Sequence, residues 1–175
     1  MCMGNSNPIG KELRLVPAPH RDDAADAGDS GDQRDARRHT VLIVDDQRVN
    51  LMVLGEVLQP HYRVRAASSA RSALEIARSH PRPDLIMLDI RMPDMDGYEV
   101  LRELRADAAT RDIPVIFVTS MDSELDEETG LALGAVDYIA KPVRPNIVLA
   151  RVRTQIELKQ ARDLLKRHNT VLTAD

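Results

Sequence analysis

Two aspartate runs have the residue types and spacing to do chemistry. LIMLDIRMPDMDG (85–97) carries Asp89, Asp94 and Asp96, and IVDDQRVN (43–50) carries Asp45 and Asp46. Three readings compete for the first run. Placing Gly97 at position 6 of a calcium-binding loop puts Asp94, Asp96 and Glu103 at the oxygen-ligand positions 3, 5 and 12. Met92 then falls at position 1, Pro93 follows it and no helix precedes the loop, so the calcium reading fails. The second reading is a hydrolase working through an aspartyl phosphate on Asp94, the first residue of Asp-Met-Asp-Gly. That nucleophile belongs directly after a buried strand, whereas Arg91-Met92-Pro93 intervenes and leaves Asp94 on a turn. The third reading puts the chemistry on Asp89, where the apolar run ends.

The elements that must position these carboxylates follow from the hydrophobic pattern. VLIV (41–44), YRVRAAS (62–68), DLIML (84–88), PVIFVTS (114–120) and DYIA (137–140) read as strands, most of them short continuous apolar runs. Between them, 48–58, 69–79, 98–107 and 122–133 have helical spacing, with Pro60 stopping the first helix and Gly134 closing the fourth. Val49, Met52, Val53, Val57 and the leucines mark the first of these. A final helix runs from Pro145 to about residue 170. Strand–helix alternation with fully apolar strands predicts an α/β fold: a doubly wound, five-stranded parallel sheet with an extended C-terminal helix.

In such sheets ligands bind beyond the carboxyl ends of the strands. Those ends deliver Asp45 and Asp46, then Asp89, then Thr119 and Ser120, and last Lys141 before Pro142. Three clustered carboxylates repel one another and need a cation. A hard oxygen site with room for water suits Mg²⁺ better than Zn²⁺. With the metal and Lys141 as counter-charges and Thr119 as a donor, the site accepts a phosphoryl group, and a carboxylate within it can become an acyl phosphate. Each residue alone has a plainer role: Asp45-Asp46 as a helix cap, Thr119 as a β-branched strand residue, Lys141 as a surface charge. Only the set carries the chemistry.

IVDDQRVN (43–50), LIMLDIRMPDMDG (85–97), PVIFVTS (114–120) and GAVDYIAKP (134–142), in this order and spacing, resemble the receiver domain of two-component response regulators, over about 40–160. The resemblance implies Asp89 as phospho-acceptor, and Mg²⁺ held by Asp46, Asp89 and the backbone carbonyl of Arg91, with Asp45 acting partly through water. It implies Thr119 and Lys141 as the phosphoryl-binding pair, Tyr138 as a switch aromatic coupled to Thr119, and a cis bond before Pro142. A sensor histidine kinase or phosphotransfer protein is the implied partner, with homodimerisation on phosphorylation. The chain would then be a phospho-acceptor and not an enzyme acting on an external substrate.

The remaining sequence sets boundaries. Residues 1–39 include HRDDAADAGDSGDQRDARRH (20–39), which has no branched apolar residue and reads as a disordered arm. Residues 40–157 form the expected receiver and 158–175 a helical linker. There Leu158, Ala161, Leu165, His168 and Leu172 step by three and four, a heptad-like seam. LARVRTQIELKQARDLLKRHN also looks like the connector that joins receivers to HD-GYP or GGDEF cyclic-di-GMP enzymes. Residues 144–175 carry seven Lys/Arg against three Asp/Glu, but dispersed along a helix, and no helix-turn-helix fits, so no nucleic-acid binding is expected. The lone Cys2 excludes an intrachain disulfide. No apolar run approaches the ~20 residues of a membrane span, and the default expectation is cytoplasmic.

Overall fold

Branched apolar residues at both faces of a strand require cover on both sides, and the sheet is built that way. The computed structural model describes residues 38–120 and 130–172. The elements are β1 (Thr40–Val44), α1 (Arg48–Leu58), β2 (Arg63–Ala67), α2 (Ala70–Arg78), β3 (Leu85–Asp89), α3 (Gly97–Ala106), β4 (Val115–Thr119), β5 (Asp137–Ala140) and α4 (Pro145–Leu172). All strand pairs are parallel, in the order β2-β1-β3-β4-β5. The expected arm at 1–39 lies outside the described residues except for Arg38 and His39, as does most of the expected helix at 122–133.

Alternate strand residues point to opposite faces. Leu42, Val44, Leu88 and Phe117 meet Ala73, Leu74, Val100, Leu101 and Leu104 on one side. Val41, Ile43, Met87, Ile116 and Val118 meet Leu54, Leu58, Val148, Val152 and Ile156 on the other. Each fully buried side chain of this size contributes about 1.5–3 kcal/mol from removal of apolar surface from water. Two cores, one sheet.

Local chemistry sets the helix boundaries. Ser69 caps α2 by accepting from the Ser72 backbone N–H. Asp96 and Glu99 form a reciprocal capping box at the start of α3. At 130–135 the Ala135 N–H donates to Gly130 O and the Gly134 N–H to Leu131 O, both at 3.0 Å, with Gly134 at φ 97°. That is a Schellman closure, which needs a left-handed residue and so favours glycine. Arg105 reaches across to reinforce it, donating to Gly134 O at 2.8 Å and to the Arg111 and Ile113 carbonyls.

The first helix divides its apolar residues differently from the simplest reading of the pattern. In α1 the buried face is Leu51, Leu54 and Leu58, while Val49, Met52 and Val53 are exposed, Val49 by 68%. α4 packs through Val148, Val152 and Ile156, then continues unbroken past the base of the sheet. There Gln160 donates to His39 at 2.8 Å and Lys166 to Asp112 at 2.9 Å, while Leu158, Leu164 and Leu165 stay exposed.

Phe117, fully buried in the central region of the sheet, is expected to dominate stability. Urea denaturation of Phe117→Ala should show a loss of about 3–5 kcal/mol. Leu165→Ala should stay within about 0.5 kcal/mol of the parent. Similar losses for both would contradict this packing.

Candidate functional site

Parallel register brings the strand ends to one edge. Val44 pairs with Leu88, Asp89 with Val118, and Thr119 with Ala140, so Asp45, Asp89, Thr119 and Lys141 emerge side by side. β1 connects to β2 on one side and neighbours β3 on the other, so this edge lies at the topological switch point where a crevice opens. The ladder continues one bond past β5: the Lys141 N–H donates to Thr119 O at 2.8 Å, and the Lys141–Pro142 bond is cis.

Lys141 is the hub. Its Nζ donates to Asp45 Oδ2 at 2.7 Å and to Asp89 Oδ1 at 3.0 Å. Asp45 is fully buried, and its Oδ1 also accepts from the Gln47 N–H at 2.8 Å and Asn50 Nδ2 at 3.0 Å. Asp46 differs: its Oδ1 is buried with no hydrogen-bond partner. Oxygens of Asp45, Asp46 and Asp89 lie within 4.8 Å of one another. At an effective dielectric of 20, each like-charge pair at that distance costs roughly 3–4 kcal/mol. One ammonium against three carboxylates leaves the cluster short of positive charge.

The titration behaviour follows. Burial pushes the Asp89 carboxyl above the usual aspartate range; the Lys141 hydrogen bond and charge oppose this, and Asp45 and Asp46 reinforce it. For Lys141, burial works against the ammonium, but hydrogen bonds and charge from Asp45 and Asp89 prevail and raise its pKa.

The loop after β3 separates the remaining aspartates from this cluster. Gly97 abuts the strand end: a Cβ there would lie 2.4 Å from the Asp89 carbonyl oxygen, and its N–H donates to Ile90 O at 2.8 Å. Asp94 is exposed in the turn at φ 72°, and Asp96 caps α3. Neither joins the acidic cluster. Arg91 extends its guanidinium across the mouth to Ser120, at 3.0 Å from Oγ and 3.2 Å from the carbonyl oxygen. Tyr138 is half-buried, its ring 5.3 Å from Phe117, on the β4 face that also carries Thr119. Met121 lies outside the described residues. Sequence reasoning left Asn50 without a role; its place in the first turn of α1, five residues past Asp45, was the available signal.

The response regulator receiver domain family matches residues 41–153, a span that contains every one of these site residues. The chain belongs to that family. It is a receiver domain of two-component signalling. Among curated relatives it is 41% identical over 141 residues to a probable cyclic di-GMP phosphodiesterase of Vibrio cholerae, covering 81% of this chain and 32% of that protein. It is 38% identical over 127 residues to the response regulator PleD of Caulobacter vibrioides, covering 72% and 28%. The chain thus spans about a third of the length of these relatives. A putative response regulator from Chloroflexus aurantiacus superposes with a TM-score of 0.66 at 32% identity, covering 69% of this chain and 99% of that one. The sheet and its flanking helices are those of the CheY-like receivers, as in a Methanospirillum hungatei domain at TM-score 0.66 and 28% identity. Among the described residues no helix is long and apolar enough to cross a membrane.

A raised Asp89 pKa means that the fold favours the protonated form, so the ionised group opposes folding at neutral pH. In metal-free buffer Asp89→Asn should therefore raise the denaturation midpoint at pH 7. The gain should shrink as pH falls toward about 3.9, the ordinary aspartate value, where the unfolded chain is protonated too. A midpoint lowered at pH 7 would contradict this sign.

Proposed function

We propose that this receiver is a phosphorylation switch whose acceptor is Asp89. The observation that carries the reading is Lys141 bonded at once to Asp45 and Asp89 beside an unpartnered Asp46 oxygen. Those residues fit Mg²⁺: an all-oxygen donor set, a carboxylate oxygen lacking a partner, and an unbalanced negative charge. Asp46, Asp89 and the Arg91 carbonyl would hold it, with Asp45 acting partly through water because its oxygens already accept three hydrogen bonds. When bound, Mg²⁺ supplies the positive charge that lets carboxylates and a phosphoryl group coexist.

The donor is a phosphohistidine of a sensor histidine kinase or phosphotransfer protein. An Asp89 carboxylate oxygen forms a bond to phosphorus as the phosphorus–nitrogen bond breaks, and the electron pair leaves with the imidazole. Lys141 then turns from carboxylate to phosphoryl oxygen, and Thr119 donates its hydroxyl to another. Tyr138 follows Thr119 inward. A cleft beside Lys141, lined by Asn50, Val53, Leu54, Val118, Pro142 and Val143, leaves room for the donor to approach. The apolar residues exposed on α1, Val49, Met52 and Val53, give that donor a surface to dock on.

The output follows α4. We take 40–157 as the receiver and 158–175 as a linker whose exposed Leu158 and Leu165 join two copies on phosphorylation. Likeness to the Vibrio cholerae relative supports a place in a longer protein that acts on cyclic di-GMP.

Acetyl phosphate with Mg²⁺ should label the protein at Asp89. Asp89→Asn should abolish labelling, and Asp46→Ala should raise the Mg²⁺ concentration needed by ten-fold or more, about 1.4 kcal/mol. Asp94→Asn should change nothing; sustained phosphate release from a metabolite, lost in Asp94→Asn, would favour the hydrolase reading instead. Sedimentation with beryllofluoride and Mg²⁺ should show a dimer that Leu158→Glu/Leu165→Glu prevents. A monomer under saturating mimic would sink the dimerisation step.

A further inference from the structure

The chain has one Phe and three Tyr, and three of those four rings form one column. Tyr98 stands edge-on to Phe117 at 5.3 Å, and Phe117 meets Tyr138 at 5.3 Å. Gly130 lies against the hydroxyl end of Tyr138 and the neighbouring edge of Phe117. A Cβ built on Gly130 would fall 2.0 Å from Tyr138 Oη, 2.8 Å from its Cζ and 2.9 Å from Phe117 Cε2. Among the described glycines, Gly134 takes the left-handed conformation and Gly130 does not. Glycine is a poor helix former, so at 130 its use is space and not backbone freedom.

Backbone fixes both sides of this contact. Tyr138 is held opposite Phe117 by the β4–β5 register. The Gly130 carbonyl accepts the Ala135 N–H in the Schellman closure, which Arg105 braces through Gly134 O. Neither side can retreat without breaking hydrogen bonds, so a side chain at 130 must displace the ring. We propose that Gly130 is a positioning residue for Tyr138: its missing side chain is the seat of the tyrosine ring, and residue 130 decides whether that ring can lie inward on the face that carries Thr119. The seat stands on packing alone; its consequence for signalling rests on reading Asp89 as the phospho-acceptor.

The test is a double-mutant cycle on the whole chain, Gly130→Ala with and without Tyr138→Ala. With the ring present, alanine should lower the denaturation midpoint; with it removed, the Phe117 edge can shift into the vacated space and alanine, the better helix former, should raise it. A change of the same sign in both backgrounds overturns the seat. In protein labelled at Tyr and Phe, the Tyr138–Phe117 ring NOE should vanish in Gly130→Ala while the Tyr98–Phe117 NOE persists. A retained Tyr138–Phe117 NOE overturns it as well. If Gly130→Ala alone fails to fold, rescue by Tyr138→Ala is the same result in stronger form, and absence of rescue refutes the seat. Both readouts are taken without Mg²⁺ or phosphodonor, so a failure of Asp89 labelling is a separate result.

Discussion

Everything at the functional edge of this receiver depends on one ammonium. Lys141 joins carboxylates 96 and 52 residues away in the chain, and without it three acidic groups would face one another in a partly dry crevice. Burial, with Asp45 and Asp46 alongside, makes the Asp89 carboxylate costly to ionise, and Lys141 offsets part of that cost. It is insufficient for all three. The remaining imbalance is one that a divalent cation would offset, and under the proposed function the flexible lysine stem would let its charge turn to a new anion.

That arrangement holds only because the strands are parallel and in register. Each of β1, β3, β4 and β5 ends within a residue of its neighbour, so four short segments separated by helices present their next residues along one line. The two-sided core holds the register, since a slip of one residue would turn Leu42 and Val44 out of one core and Val41 and Ile43 out of the other. The same close fit explains the glycine at the end of the Asp94–Gly97 turn: α3 starts so near the Asp89 carbonyl that a methyl group has no room. Structural constraint and chemistry meet at one peptide unit.

Much of this was legible in the linear chain because the signals are local. Apolar runs give strands, and the residue after each run is necessarily at the strand end, which singles out Asp45, Asp46, Asp89, Thr119 and Lys141. Capping chemistry is local too, and it turned the conspicuous Asp94–Asp96 pair into a turn and a helix cap. Less was legible where a partner is remote. Nothing near Arg91 in sequence points to Ser120, 29 residues on, and nothing near Gly130 points to the ring of Tyr138. In α1 both Val53 and Leu54 fit a helical apolar face; only the position of the sheet decides that Leu54 is buried and Val53 exposed.

The sequence by itself determined the element types, their order and the inventory of groups at the strand ends, because hydrophobic period and turn chemistry are properties of neighbouring residues. Tertiary structure alone decided the division of labour among those groups. Asp45 and Asp46 are adjacent and chemically identical, yet one is saturated by Gln47, Asn50 and Lys141 while the other keeps a buried oxygen without a partner. Successive residues at a strand end point in different directions. Which of them meets the lysine is fixed by where β5 lies in the sheet, and no local pattern encodes that position.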